Sequence, residues 1–191
     1  MTSNKYFRLG SDRVQMVGRI EKVSGPEIPR FTCGELYPPV DSDLYDPADD
    51  VFPFQFTYLD RHGKTEKPHL DFYGGDSLMS RRLVKTLEAA GVNNIQTFDA
   101  VITNEKTKAV IKDFVLVNIV GLVAAADMSK SKALPLGPGH VFTELKIDPA
   151  KPRGMLMFRL AESFDVIVHE RVAKAIKAGG FTGLVLTPVS R

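Results

Sequence analysis

Residues Asp113 to Lys132 read DFVLVNIVGLVAAADMSKSK and contain the longest apolar run in the chain. No residue between Phe114 and Ala126 is charged, yet Asn118 lies near the middle. The run is shorter than the roughly 20 apolar residues of a membrane-spanning helix. Its β-branched residues and Gly121 favour a strand over a helix, so we predict a strand from Asp113 to Val123, buried on both faces. A buried amide needs partners, and we therefore expect Asn118 to be hydrogen-bonded within the scaffold.

Size and composition point to one soluble domain, residues 1–191. The first residues lack the apolar core of a signal peptide, and a single cysteine, Cys33, excludes an internal disulfide. We therefore expect a cytoplasmic protein that is not bound to a membrane. The net charge of +2 is too small to imply a nucleic-acid partner.

The remaining pattern is that of an α+β fold with a mixed, mainly antiparallel sheet and two principal helices. A helix is predicted from the capping residues Asp76 and Ser77 to Gly91, and a second one from about His169 to Ala178. Strands are predicted around KYFRL, RVQMVGRIEKV, FPFQFTYLD, NIQTFDAVIT, FDVIV and TGLVLTPV. HVFTELKID and MLMFRLA, separated by PAKPRG, suggest an antiparallel hairpin.

The two predicted helix–strand segments resemble one another. SRRLVKTLEAAGVNNIQTFDA, starting at Ser80, and HERVAKAIKAGGFTGLVLTPV, starting at His169, align without gaps. An internal repeat would explain this alignment, and so would the general pattern of a helix that ends in glycine before a strand.

An acidic stretch, Gly34 to Phe54, is distinct in composition. It carries six acids and no base, so the rest of the chain has a net charge of +8. Its prolines disfavour a helix or a central strand. It also contains aromatic residues of the kind that dominate binding hot spots.

We find no complete catalytic constellation. Gly75-Asp76-Ser77-Leu78 resembles the signature of the GDSL esterases, with Ser77 as nucleophile and His169 as the base that such a serine requires. The other blocks of that family are absent in their usual form, and Asp76 and Ser77 are also typical helix caps. The four histidines are dispersed, and no metal or cofactor motif is present, so we predict neither a metal nor a cofactor.

The order of several motifs resembles a bacterial immunity protein family that accompanies polymorphic toxins and was once classed as a domain of unknown function. The resemblance covers about Pro68 to Val189, through DFVLVN, DMSKS, MFRL and TGLVLTPV. Matching positions are Asp113, Phe114, Asn118, Asp127, Ser131, Phe158, Arg159, Leu160, Gly183 and Pro188. Residues 1–67 match poorly and form a variable β and loop region, whereas residues 68–189 form the family-like core.

The resemblance implies an α+β immunity protein of interbacterial competition, which binds a cognate toxin domain and is not an enzyme. Asn118, Asp127, Ser131, Phe158, Arg159 and Gly183 are then expected to hold the scaffold, Arg159 by pairing with a buried acid. The toxin would contact the acidic stretch, whose carboxylates could cover a basic cleft. The alternative is that the stretch is an ordinary solvated loop whose aromatic residues pack into the core. The interface candidates are Glu35, Tyr37, Asp41, Asp43, Tyr45, Asp46, Asp49 and Asp50.

Overall fold

The computed structural model describes residues 5–12, 18–24, 34–38, 52–60, 68, 70–74 and 77–189. The interface candidates Asp41, Asp43, Tyr45, Asp46, Asp49 and Asp50 lie outside these residues. The first half of the described chain contains β1 (Tyr6–Ser11), β2 (Gly18–Ser24), β3 (Phe54–Asp60), β4 (Phe72–Tyr73), β5 (Leu78–Ser80), α1 (Arg81–Ala89), β6 (Ile95–Asn104) and β7 (Val110–Ile111). The second half contains β8 (Phe114–Ile119), β9 (Leu122–Val123), β10 (Lys132–Leu136), β11 (Gly139–Glu144), β12 (Met157–Leu160), β13 (Val166–His169), α2 (Glu170–Ala178) and β14 (Leu184–Pro188).

The strands form two larger sheets and one hairpin. The larger sheet has the order β2-β3-β6-β8-β5-β4, with β7 paired to β6. The five-stranded sheet has the order β14-β1-β13-β12-β9, and β10 pairs with β11. The pairs β3–β6 and β9–β12 are parallel, and the other described pairs are antiparallel. The predicted α+β class is confirmed, with its strands divided between sheets.

Strand β8 lies inside the molecule and all six of its residues are buried, as its apolar sequence predicts. The predicted continuation of this strand to Val123 is wrong, because β8 ends at Ile119 and Leu122–Val123 form β9, which pairs with β12 in the other sheet. Val115, Val117 and Ile119 pack in the core that contains the buried faces of both helices. Phe114 and Leu116 pack in a second core, which contains the aromatic residues of β3. The alternation of side chains along the strand therefore joins two cores through one element.

The first helix starts later than predicted. Helix α1 begins after Ser80, whose Oγ accepts a hydrogen bond from the Leu83 N–H at 3.2 Å. The predicted start at Asp76 and Ser77 is wrong, because Leu78 to Ser80 pair as β5 with β8. Helix α2 agrees with the predicted range from about His169 to Ala178, and the structure adds that the His169 imidazole caps its first turn.

The predicted hairpin of HVFTELKID with MLMFRLA is also wrong. Strand β11 pairs with β10, whereas β12 lies between β13 and β9 in the five-stranded sheet. The apolar alternation identified both strands, but it carried no information about which strand each one would join.

The two helix–strand segments are structurally equivalent. The helices α1 and α2 start 89 residues apart, and so do the strands β6 and β14 that follow them. Each helix links two strands that flank one antiparallel central strand, which is β8 in the first unit and β1 in the second. The registers also agree, because Met79 faces Val115 and Ile95 faces Ile119, while Val168 faces Phe7 and Leu184 faces Ser11. The molecule thus contains two split β-α-β units, with the central strand last in the first unit and first in the second.

Asp71 connects these two units through hydrogen bonds. Its carboxylate accepts from Ser80 Oγ at 2.7 Å, from Arg82 Nη2 at 2.9 Å and from the Thr182 N–H at 3.1 Å. Burial raises the pKa of Asp71, but these hydrogen bonds and the charge of Arg82 outweigh it and hold the pKa below its usual value. Next to this contact, Gly183 has φ of +82°, and a side chain there would meet the Phe72 carbonyl and Leu70.

Replacing Asp71 by alanine is expected to lower the free energy of unfolding by about 2 kcal/mol at pH 7, because charge-assisted hydrogen bonds are lost. The pKa of Asp71 is lower in the folded state, so its contribution is present above the unfolded pKa of about 3.9 and is lost as pH falls through the folded pKa. Urea denaturation at pH 7 and at successive values below about pH 4 should show the two proteins converging.

Asp99 provides a matched control, because it pairs with Arg81 at 2.7 Å with a side chain that is 72% exposed. Asp99→Ala should change the free energy of unfolding by less than about 1 kcal/mol. Equal losses for the two variants would show that the hydrogen bonds of Asp71 stabilise the fold no more than an exposed ion pair does.

Candidate functional site

A surface cleft of about 860 Å³ lies beside the second core and contains both described ends of the acidic stretch. Its base is formed by residues 96–101 of β6, and Arg81 and Lys112 lie at its border. Residues 36–38 form one wall, and Phe52 and Pro53 form another. We call this feature the β6 cleft.

Aromatic side chains hold the two walls of the β6 cleft together. The rings of Tyr37 and Phe52 meet edge to face with centroids 5.8 Å apart, and Phe98 lies 5.3 Å from Tyr37 and 5.4 Å from Phe52. Phe54, which is fully buried, contacts Phe52 at 5.4 Å and continues the cluster into the core. Tyr37 and Phe52, at the two described ends of the acidic stretch, are therefore neighbours in the molecule.

Side-chain amides attach the first wall to the sheet. Asn118 Nδ2 donates to the Glu35 carbonyl at 2.7 Å and to Gln96 Oε1 at 2.9 Å. The Gln96 amide also accepts from the Tyr37 N–H at 2.8 Å and donates to the Tyr37 carbonyl at 3.1 Å. The Gly121 N–H adds a bond to the Gly34 carbonyl at 2.8 Å. Gln96 and Asn118 thus bond the segment's backbone as a neighbouring strand would.

The border of the β6 cleft carries charges of both signs. Arg81 pairs with Asp99 at 2.7 Å, and its Nε donates to the Lys112 carbonyl at 3.0 Å. Glu35 is exposed and precedes the lining residue Leu36, which is 63% exposed. The described border can therefore accept both a basic group and an apolar group.

The two interface candidates within the described chain occupy different environments. Glu35 is exposed, whereas Tyr37 is only 3% exposed and packs in the second core. The Tyr37 ring therefore supports the wall of the β6 cleft from inside.

The expected scaffold residues are distributed over several contacts. Asn118 is fully buried and hydrogen-bonded, and Phe158 is buried in a third core, where its ring lies 6.1 Å from that of Tyr6. Asp127 organises a turn in which its carboxylate accepts from Lys130 and Ser129, and these bonds hold the pKa of Asp127 below its usual value. The Ser131 hydroxyl accepts from the Lys146 N–H at 2.9 Å.

Arg159 is buried next to Ser77, the nucleophile of the esterase alternative. Arg159 Nη1 donates to the Phe164 carbonyl at 3.4 Å, and Nη2 donates to Ser77 Oγ at 3.3 Å. His169, the candidate base, caps α2 through Nδ1 and packs against Tyr6. The described contacts therefore give Ser77 an arginine neighbour and do not pair it with His169, so the geometry does not support the esterase alternative.

Two further features are absent from the described part of the chain. Its histidine, cysteine, aspartate and glutamate side chains form no group of three or more that could hold a metal ion. None of its helices combines the length and the apolar character needed to cross a membrane.

Sequence reasoning identified Asn118 but missed Gln96, Leu36 and Phe98. Gln96 is one polar residue in an ordinary alternating strand, and its importance follows from the register that places it opposite Asn118. From the sequence alone only Asn118 stands out, because it is the polar residue within the apolar run from Phe114 to Ala126.

Ser77 has φ of 54°, a conformation that glycine adopts at lower cost than serine. Ser77→Gly is therefore expected to leave the free energy of unfolding within about 1 kcal/mol of the wild-type value.

Ser77→Ala should leave any hydrolysis of a generic nitrophenyl ester unchanged. A loss of turnover in a folded Ser77→Ala variant would restore the esterase alternative.

Comparison with known proteins identifies one family. The model of the Imm11 immunity protein family matches residues 41–191, which is well over half of the chain and includes part of the acidic stretch. The match thus also covers residues 41–67, which belong to the region predicted to match poorly. No curated protein matches the chain significantly.

Proposed function

Because the chain belongs to the Imm11 immunity protein family, we propose that it binds a cognate toxin domain in a stoichiometric complex and thereby neutralises it. The match to the family model carries this proposal. On this proposal the protein acts in the cytoplasm of a bacterium that makes or meets the toxin. It needs no cofactor and performs no catalysis.

The acidic stretch is the proposed contact surface. In support of this, its described ends form two walls of the β6 cleft and are fixed to one another by the Tyr37–Phe52 contact. The sequence between them contains Asp41, Asp43, Asp46, Asp49 and Asp50 and no base. A toxin with a basic active-site surface would meet complementary charge there, which speeds association and favours the correct partner.

Co-expression tests the proposed function directly. The probe is the C-terminal domain encoded by the reading frame next to this gene, produced from an inducible promoter in a host that lacks both genes. Expression of this protein should restore growth, and the purified pair should elute as a complex with a fixed ratio. Growth arrest despite abundant soluble protein, together with no complex, would refute neutralisation of that domain.

Charge reversal tests the proposed surface. The pair Asp43→Lys and Asp46→Lys, or the pair Asp49→Lys and Asp50→Lys, is expected to weaken toxin binding by about tenfold in low salt. The loss should shrink at roughly 0.5 M salt, where screening acts over a few ångströms. Calorimetry or surface-based kinetics at two salt concentrations would measure both effects.

Glu88 and Glu105 supply the matched control, because both are exposed and lie outside the acidic stretch. Glu88→Lys with Glu105→Lys changes the net charge by the same amount as either aspartate pair. Equal weakening by control and aspartate pairs would indicate a general charge effect and would exclude the acidic stretch as the contact surface.

A further inference from the structure

The half-buried Gln96 and the fully buried Asn118 form an amide pair across two neighbouring strands. They face one another in the antiparallel register of β6 and β8. Together they make four hydrogen bonds, three of them to the backbone of Glu35 and Tyr37. The pair therefore binds the backbone of a segment about 60 to 80 residues away in sequence.

The pair is an unfavourable choice for stability alone. Asn118 is fully buried, and its Oδ1 has no hydrogen-bond partner among the described residues. A buried polar atom without a partner reduces stability, and an apolar residue of similar size would avoid this cost.

The second split β-α-β unit shows that the architecture does not require these amides. The equal registers place Gly10 at the position of Asn118, and Val185 at the position of Gln96. Val185, the equivalent of Gln96, is 42% exposed. In the first unit, by contrast, the Glu35–Tyr37 backbone covers Asn118. The same arrangement of strands and helix therefore forms with a glycine and a valine at these positions.

We propose that the Gln96–Asn118 amide pair positions the toxin-binding surface. It fixes the segment from Gly34 to Pro38 as a wall of the β6 cleft and so holds Glu35 and Leu36 in place. This inference rests on the proposed function. The partner it fits is a toxin surface with a basic side chain beside an apolar one, because Glu35 and the exposed Leu36 are adjacent and the sequence that continues from Pro38 is acidic.

The pair acts through the segment and not by touching the toxin, which makes Gln96 and Asn118 positioning residues. A segment held before binding loses less conformational freedom in the complex than a loose one. Loss of the pair should therefore lower toxin affinity even though every exposed side chain is unchanged.

The test variant is Gln96→Val, which introduces the residue of the equivalent position in the second unit. The N–H of Tyr37 is expected to exchange with deuterium at least about tenfold faster, because its acceptor is removed. Affinity for the domain encoded by the neighbouring gene should fall by about tenfold. The thermal midpoint should shift by less than about 4 °C.

Asn94→Ala is the matched control. The Asn94 amide also bridges two backbone carbonyls, those of Val120 at 2.6 Å and Met157 at 2.9 Å, but it makes no described hydrogen bond to the segment from Gly34 to Pro38. The folded control should lose thermal stability and keep wild-type affinity. If Gln96→Val does not fold, Glu35→Lys with Leu36→Ser tests the same surface, because the hydrogen bonds of the pair go to the backbone of Glu35 and Tyr37. This double variant should also weaken binding.

The outcomes separate the two proposals. Faster exchange at Tyr37 with unchanged affinity in Gln96→Val would overturn the positioning role and leave the proposed function intact. Unchanged affinity in Glu35→Lys with Leu36→Ser would do the same. A wild-type protein that does not bind the toxin domain would overturn both. A tenfold loss in Gln96→Val that is absent in Asn94→Ala would establish the positioning role.

Discussion

The burial of β8 on both faces is the constraint on which the rest of the structure depends. Its odd-numbered residues pack with the two helices, and Phe114 and Leu116 pack with the aromatic strand β3. A shift of one residue in register would exchange the two sets, because side chains alternate along a strand. Asn118 belongs to the even-numbered row, so the register that builds both cores also directs its amide towards Glu35.

The central strand of the second unit, β1, shows which side chains can differ between the two units. Phe7 and Leu9 pack with the shared helical core, as Val115 and Val117 do in β8. The opposite row differs, because Tyr6, Arg8 and Gly10 correspond to Phe114, Leu116 and Asn118. The helix-facing row is thus the common part of the two units. The other row adapts each unit to its surroundings, and in the first unit these include the segment from Gly34 to Pro38.

The sequence was sufficient to predict most strands and helices. It was insufficient to predict which strands pair and which residues hydrogen-bond with one another. The apolar run, the alternating aromatics of β3 and the C-terminal ends of both helices were visible as local patterns. The start of α1 was predicted wrongly at Asp76 and Ser77, because the pairing of β5 with β8, which moves the cap to Ser80, is a long-range contact that local sequence does not show. The parallel pairing of β12 with β9 joins segments that are distant in sequence, and hydrophobic periodicity carries no information about such a pairing. For the candidate site, the sequence indicated that Asn118 needs partners, but one of them lies 83 residues away and the other 22.

On the proposed function, the chemistry of the amide pair suits a surface that differs from one toxin partner to another. A strand added by a backbone ladder has its side chains directed alternately to the two faces, which restricts its sequence wherever one face is buried. Gln96 and Asn118 instead bond this segment only at the carbonyl of Glu35 and the backbone groups of Tyr37. These backbone hydrogen bonds do not depend on the side chain at position 35 or on that of the residue after it. On the proposed role, the scaffold can therefore hold this segment in one place while the residues that meet the toxin change freely.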